Sequence, residues 1–227
     1  LRNAAKNGHA EVLHVLKHEF GLIANDARTN DNYALRMAAI NGHVEVLRFL
    51  KDEFGLTAND ARARDNYALE RAAENGHEKV LLCLKKFGLT AEDARGKYNF
   101  ALEDAASNGH VEVMSVLKND FELTADDARA GRNNALKKAA QNGHVNVLRF
   151  LKDKFGLTTE DARARKNWAL LIAACKGHAG VLRFLKNEFE LTAEDARAND
   201  NDALGLAAKN GHLEVVRFLK DEFELTD

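Results

Sequence analysis

The chain contains no proline in 227 residues, so no turn is imposed by a ring-locked φ. Every reversal must come from glycine, asparagine, aspartate or side-chain capping. Serine occurs only at Ser107 and Ser115, which leaves little room for a serine hydrolase. Two cysteines, Cys83 and Cys175, fit neither a disulfide framework nor a metal pattern. Such sparse usage suits a reducing, intracellular setting, taken here as the cytoplasm. No apolar run approaches the roughly 20 residues that span a bilayer, and no signal peptide is visible. No excess of one charge exists either: 33 basic and 35 acidic residues give a formal net charge of -2. A general attraction to nucleic acid or to an anionic membrane therefore does not follow.

What is abundant is one phrase. Gly-His recurs at His9, His43, His77, His110, His144, His178 and His212, with successive spacings of 34, 34, 33, 34, 34 and 34. A fixed period of this length implies a stack of similar units, each touching mainly its neighbours. The period divides the chain into repeats of roughly 1–25, 26–59, 60–92, 93–126, 127–160, 161–194 and 195–227, read as one repeat domain over 1–227.

One unit shows the local physics. Leu35, Ala38 and Ala39 fall at i, i+3 and i+4, the face of a helix whose alanines allow close approach. Asn32 stands where a helix N-cap belongs, and Gly42 suits the left-handed residue that closes the helix, predicting a first helix over about 33–41. Val46, Leu47, Phe49, Leu50 and Phe54 carry a second helix over about 44–53, antiparallel to the first across the short Gly-His link. Gly55 can stop it. Because Glu122, Glu190 and Glu224 occupy the same place in other units, a left-handed residue is not expected to be obligatory there.

Next comes LTANDAR, where Thr57 and Asp60 resemble a capping box. The pair recurs as Thr90/Asp93, Thr124/Asp127, Thr158/Asp161 and Thr192/Asp195, predicting a short third helical turn in each unit. Asn32, Asn66, Asn99, Asn133, Asn167 and Asn201 all follow six residues after the Asp, and each is expected to cap the next helix. The Arg of each DAR, from Arg28 to Arg197, is equally regular. Residues repeated in every layer are expected to serve the layer rather than a ligand.

The combined pattern AL-x-x-AA-x-NGH-x-E-V-L-x-F-L resembles the ankyrin repeat, over nearly the whole chain. The departures are alanine in place of the family's proline, the missing histidine of its TPLH motif, and a period of 34. Its β-hairpin loop is replaced by the helical-looking LTAEDARA stretch. The resemblance with these departures implies an all-α, ankyrin-like helical-repeat solenoid of about seven repeats. Tetratricopeptide repeats share the period of 34, but their aromatic and proline signature is absent. Both ends fall within a repeat, so the chain reads as part of a longer array.

No catalytic, cofactor or metal site is expected. Equivalent histidines on helices about 8–10 Å apart do not converge on one zinc, which needs nitrogens at about 2.0–2.1 Å. His14 and His18 pair at i, i+4 but lack a third ligand. No Walker loop, GxGxxG or nucleophile elbow is present, and no small-molecule substrate is evident.

Variation between copies is where a partner would be encoded. The ankyrin resemblance implies a concave surface built largely from first helices and loops. The residue after the recurring Asn is Tyr33, Tyr67, Phe100, Asn134, Trp168 or Asp202. One copy places Trp168, Leu171, Ile172 and Cys175 at i, i+3, i+4 and i+7, a single helical face with the composition of an interface hot spot. Tyr33, Met37 and Ile40 form a weaker version. Glu70, Glu74, Glu103 and Asp104 make an acidic stretch, and Lys137, Lys138 and Arg132 a basic one. The expected function is a non-catalytic protein-interaction scaffold binding a protein partner through Trp168, Leu171, Ile172, Cys175, Tyr33, Met37, Ile40, Tyr67 and Phe100. A structural spacer in a larger repeat protein is the alternative. A nucleic-acid-binding helical array is disfavoured because acidic residues interrupt the basic groove it would need.

Overall fold

The computed structural model describes residues 1–96 and 99–225, without the side chains of residues 199–202. In order the helices are α1 (Arg2–Lys6), α2 (Ala10–His18), α3 (Ala24–Ile40), α4 (Val44–Asp52), α5 (Ala58–Ala61), α6 (Ala63–Glu74), α7 (Glu78–Phe87), α8 (Ala91–Arg95), α9 (Phe100–Asn108), α10 (Val111–Asn119), α11 (Ala125–Gln141), α12 (Val145–Phe155), α13 (Thr159–Lys176), α14 (Ala179–Glu188), α15 (Ala193–Lys209) and α16 (Leu213–Glu222). No strand occurs among the described residues. The β-hairpin of the ankyrin pattern is thus replaced by helical turns, as the LTAEDARA sequence leads one to expect.

The chain groups into two compact units. Unit 1 comprises Leu1–Ala105 with Glu112–Leu123, and unit 2 comprises Ala106–Val111 with Thr124–Asp227. In unit 1, α1, α3 and α6 pack in one row and α2, α4 and α7 in another. Unit 2 repeats the arrangement with α11, α13 and α15 in the first row and α12, α14 and α16 in the second. Alanine pairs make the first row possible. Ala38, Ala39, Ala72, Ala73, Ala139, Ala140, Ala173 and Ala174 are fully buried, so neighbouring backbones approach closely. Between the rows lie Leu35, Leu47, Leu50, Leu69, Leu136, Leu148, Leu151 and Leu170, also without exposed surface. The Phe-x-Leu that ends each second helix is buried as well, with Phe121, Phe189 and Phe223 at most 1% exposed. Its first copy differs: Phe20 is 71% exposed.

The Gly-His link works between repeats. Each glycine has φ near +80°, and each following histidine begins the second helix. The His ring reaches back to the preceding repeat. Nε2 of His43, His77, His144, His178 and His212 lies 2.9–3.0 Å from the carbonyl oxygen of Lys6, Ile40, Ser107, Gln141 and Cys175 respectively. A carbonyl only accepts, so Nε2 carries the proton and donates. Asn75, Asn142 and Asn210 donate a second bond to three of the same carbonyls. Within each unit, one side-chain layer thereby ties a loop to the one before it.

The second-helix ends correct one expectation. Glu122, Glu190 and Glu224 adopt φ of 60°, 55° and 52°, the left-handed region that Gly55, Gly88 and Gly156 also occupy. A left-handed residue is required there because the N–H of the next leucine bonds six residues back: Leu123 to Leu117, Leu191 to Leu185 and Leu225 to Leu219. That closure, one residue wider than a 6→1 bond, turns around a left-handed residue in each case.

The recurring asparagines correct a second expectation, since they do not cap helices. Asn32, Asn66, Asn99, Asn133 and Asn167 have φ of 57–63°. In four of these repeats the Asn ends a left-handed turn of three residues, as in Asn30-Asp31-Asn32 and Arg165-Lys166-Asn167. Their buried Oδ1 atoms accept no hydrogen bond, so no first-turn N–H is capped by them. Instead the amide nitrogen donates onward: Asn133 to the carbonyl of Asp161 at 3.2 Å, and Asn167 to that of Asp195 at 3.1 Å. Asparagine tolerates the left-handed region because its short polar side chain bonds locally. The Asn201 side chain lies outside the described residues. Asn167→Val puts a β-branched residue at positive φ and removes the bond to Asp195. A stability loss of about 2–3 kcal/mol is expected in urea unfolding, with Asn167→Gly losing about 1 kcal/mol, since it forfeits the same bond but not the strain.

Candidate interaction surface

The surface is framed by the turn that precedes each first helix. In each capping box the Asp carboxylate accepts from the Thr backbone N–H, at 2.8–2.9 Å for Asp60, Asp93, Asp127, Asp161 and Asp195. The carboxylates also accept the Arg guanidinium of the preceding repeat, as in Arg28 to Asp60 at 2.8 Å, Arg62 to Asp93 at 2.7 Å, Arg129 to Asp161 at 3.0 Å and Arg163 to Asp195 at 2.9 Å. Burial alone would raise the carboxyl pKa of Asp60, Asp93, Asp161 and Asp195. The guanidinium, the Thr N–H and the Thr hydroxyl outweigh it and hold all four below the usual carboxylate range. The Arg forks reach further, to the carbonyl of Gly55, Gly88 or Gly156 at 3.3–3.4 Å. This ladder fixes the left-handed turns, and the turns fix where the variable first-helix residues point.

Unit 1 holds five of the nine candidate contact residues. Tyr33 and Tyr67, both half-buried, bracket Arg36: its guanidinium carbon lies 5.9 and 5.7 Å from the two ring centroids. Arg36 is only 3% exposed and donates to the carbonyls of Asp31 and Asn30. Burial, then the charge of Arg64, push its pKa down. Met37 and Ile40 are half-buried, and the Ile40 carbonyl takes the ring of His77. Phe100 is 39% exposed and lines a pocket with Arg64, Asp65, Asn66, Glu70 and Gly96. Burial is the main influence raising the Glu70 pKa.

Unit 2 holds the other four. Trp168, Leu171, Ile172 and Cys175 follow the left-handed turn of α13 at helical spacing, and all are half-buried. The Trp168 ring already has one partner, the Lys137 ammonium 5.5 Å from a ring centroid. Lys137 itself is only 8% exposed. Cys175 is tied into the fold: its carbonyl accepts from His212 and Asn210, and its Sγ lies 3.4 Å from Asn210 Nδ2. The variable residue Asp202 lies outside the described side chains. Among the described residues, no three His, Cys, Asp or Glu side chains come together as a metal site would need, and no helix is long and apolar enough to cross a membrane.

Arg36 and Lys137, buried cations stacked on aromatic rings, are not visible as such in the sequence. They occupy positions where other repeats place Glu70, Leu171 or Gly205. The only available signal is that each lies three residues after the variable position, one helical turn from an aromatic of its own or the next repeat.

A family model described as ankyrin repeats (3 copies) matches residues 1–93 and 156–227. None of the curated proteins compared matches the chain.

Proposed function

Because the chain belongs to the ankyrin-repeat family, we propose that it is a non-catalytic scaffold whose unit 2 binds a protein partner through Trp168, Leu171 and Ile172. Ankyrin repeats are generally protein–protein interaction modules. The observation that carries the finer reading is the partial exposure of three large apolar side chains one turn apart on α13, where other repeats carry Arg36-Met37, Glu70-Arg71 or Lys137-Lys138. Packing does not demand apolar residues at these sites, and a Trp-centred apolar group is the composition of a binding hot spot.

The test compares the whole chain with a Trp168→Ala/Leu171→Ala/Ile172→Ala triple variant in a pull-down and then in titrations of the captured protein. Trp168→Ala alone is expected to weaken binding at least about tenfold, as hot-spot truncations do. Its thermal midpoint is expected to fall only modestly, since the ring is half-buried. Equal capture by parent and triple variant would remove Trp168, Leu171 and Ile172 from the binding surface, and capture by neither would favour a structural spacer. The observation behind that second reading is the Lys137–Trp168 contact, which gives the ring a role between layers.

A further inference from the structure

In unit 1 the left-handed turns of adjacent repeats are joined by an ion pair. Arg64 Nη2 lies 3.0 Å and Nε 3.1 Å from Asp31 Oδ2, across 33 residues of sequence. The equivalent positions in unit 2, again 33 residues apart, are Arg165 and Arg132. The backbones match: φ is 54° and 56° for Asp31 and Arg64, and 59° and 56° for Arg132 and Arg165. Repeat equivalence therefore sets guanidinium beside guanidinium where unit 1 sets guanidinium beside carboxylate. Both unit 2 arginines are exposed, and among the described residues neither forms an ion pair. Lys138, half-buried on the same row of first helices, has no ion-pair partner among them either. Trp168 directly follows the left-handed turn that Arg165 begins.

Resting on the interaction reading above, we propose that unit 2 binds an acidic peptide segment. A carboxylate of the segment lies between Arg132 and Arg165, and a neighbouring apolar side chain seats on Trp168, Leu171 and Ile172. Two exposed guanidiniums at these equivalent positions suit a carboxylate, whose charge relieves their mutual repulsion when it arrives. A single-stranded nucleic acid would also bring anions, but it binds by stacking bases on free aromatic faces. Here the only tryptophan is half-buried and already carries Lys137, and its neighbours are the aliphatic Leu171 and Ile172. The composition favours a peptide.

The experiment selects a displayed random-peptide library on the full chain and measures the enriched peptides by fluorescence anisotropy. Enriched sequences are expected to carry Asp or Glu within a few residues of an aliphatic or aromatic side chain. Arg132→Asp copies the pairing that unit 1 already tolerates. It is expected to weaken the selected peptide at least about tenfold, as loss of a charge-paired contact does, while leaving the thermal midpoint unchanged or higher. Trp168→Ala is expected to weaken it to a similar degree. Enrichment of peptides without acidic residues, unchanged binding by Arg132→Asp, or no enrichment overturns the proposal. Loss with Trp168→Ala alone removes the arginine clamp and leaves the apolar surface. Loss with neither variant removes both readings. Equal competition by oligouridylate overturns the peptide in favour of nucleic acid.

Discussion

Gly177→Ala is expected to destabilise the chain by about 2–5 kcal/mol, far more than a solvent-facing alanine substitution normally does. Two independent terms add. The residue sits at φ +82°, where a Cβ costs about 1–2 kcal/mol. That Cβ would also lie 2.7 Å from Nδ1 and 2.9 Å from Cε1 of His212. The ring cannot swing aside freely, because its Nε2 is bonded to the Cys175 carbonyl at 2.9 Å. Moving it forfeits that bond or forces the loop apart, typically another 1–3 kcal/mol or so. Gly156→Ala supplies the control: φ is +69°, but nothing lies within 4 Å of the new Cβ, so only the conformational cost of about 1–2 kcal/mol applies. Urea unfolding followed by the fluorescence of Trp168, the only tryptophan, reads both variants in the same repeat neighbourhood. His212→Ala placed in the Gly177→Ala background should recover part of the loss. A strictly additive double variant would show that the ring and the glycine are not coupled.

The periodic parts of the fold are legible in the sequence because they obey one-residue rules. Apolar spacing places α4 and α12 almost to the residue, Gly42 closes its helix in the left-handed conformation, and all five Thr/Asp capping boxes form. The failures fall where one residue type serves two conformations. Asparagine is favoured both as an N-cap and in the left-handed region, so Asn133 and Asn167 read as caps while they in fact end left-handed turns. What decides between the two is the carbonyl of Asp161 or Asp195 in the next repeat, a partner 28 residues away. Glu190 and Glu224 fail for a related reason: the turn's hydrogen bond, from the next leucine to the carbonyl six residues back, sets the backbone, and glutamate accommodates it at a cost that Gly156 avoids. The candidate surface was legible in composition only. Its divergence from other repeats picks out Trp168, Leu171 and Ile172. That Lys137 is buried on Trp168, or that Arg132 and Arg165 fill positions paired in unit 1, requires the register between repeats.

Acid should weaken the fold through the aspartate ladder, in a window set by the direction of the shifts. The folded-state pKa of Asp60, Asp93, Asp161 and Asp195 lies below the usual value, the net result of burial opposed by Arg, Thr N–H and Thr hydroxyl. A depressed carboxyl pKa stabilises the folded chain above the unfolded value of about 3.9. That contribution is lost as pH falls through the folded value. Stability is therefore expected to stay level on this account from neutral pH down to about 5, then to drop steeply below about 4. Glu53, Glu188 and Glu222 are also shifted down, by hydrogen bonds and charge from Lys17, Lys152 and Lys186, but they sit in solvent at 38–54% side-chain exposure. Salt screens such pairs, so added salt should reduce their share. The aspartates, at 9–10% side-chain exposure, should respond less, although their arginine partners are 36–38% exposed and temper the contrast. Asp161→Asn isolates one rung. It removes the charge that holds Arg129 and weakens the cap on Thr158, for an expected loss of about 1–3 kcal/mol at pH 7. Because the parent carboxylate is protonated once pH falls below its lowered folded-state pKa, the gap between parent and variant should close in strong acid. A gap independent of pH would mean that Asp161 contributes shape and hydrogen bonding alone, and that the charge shared with Arg129 does not stabilise the stack.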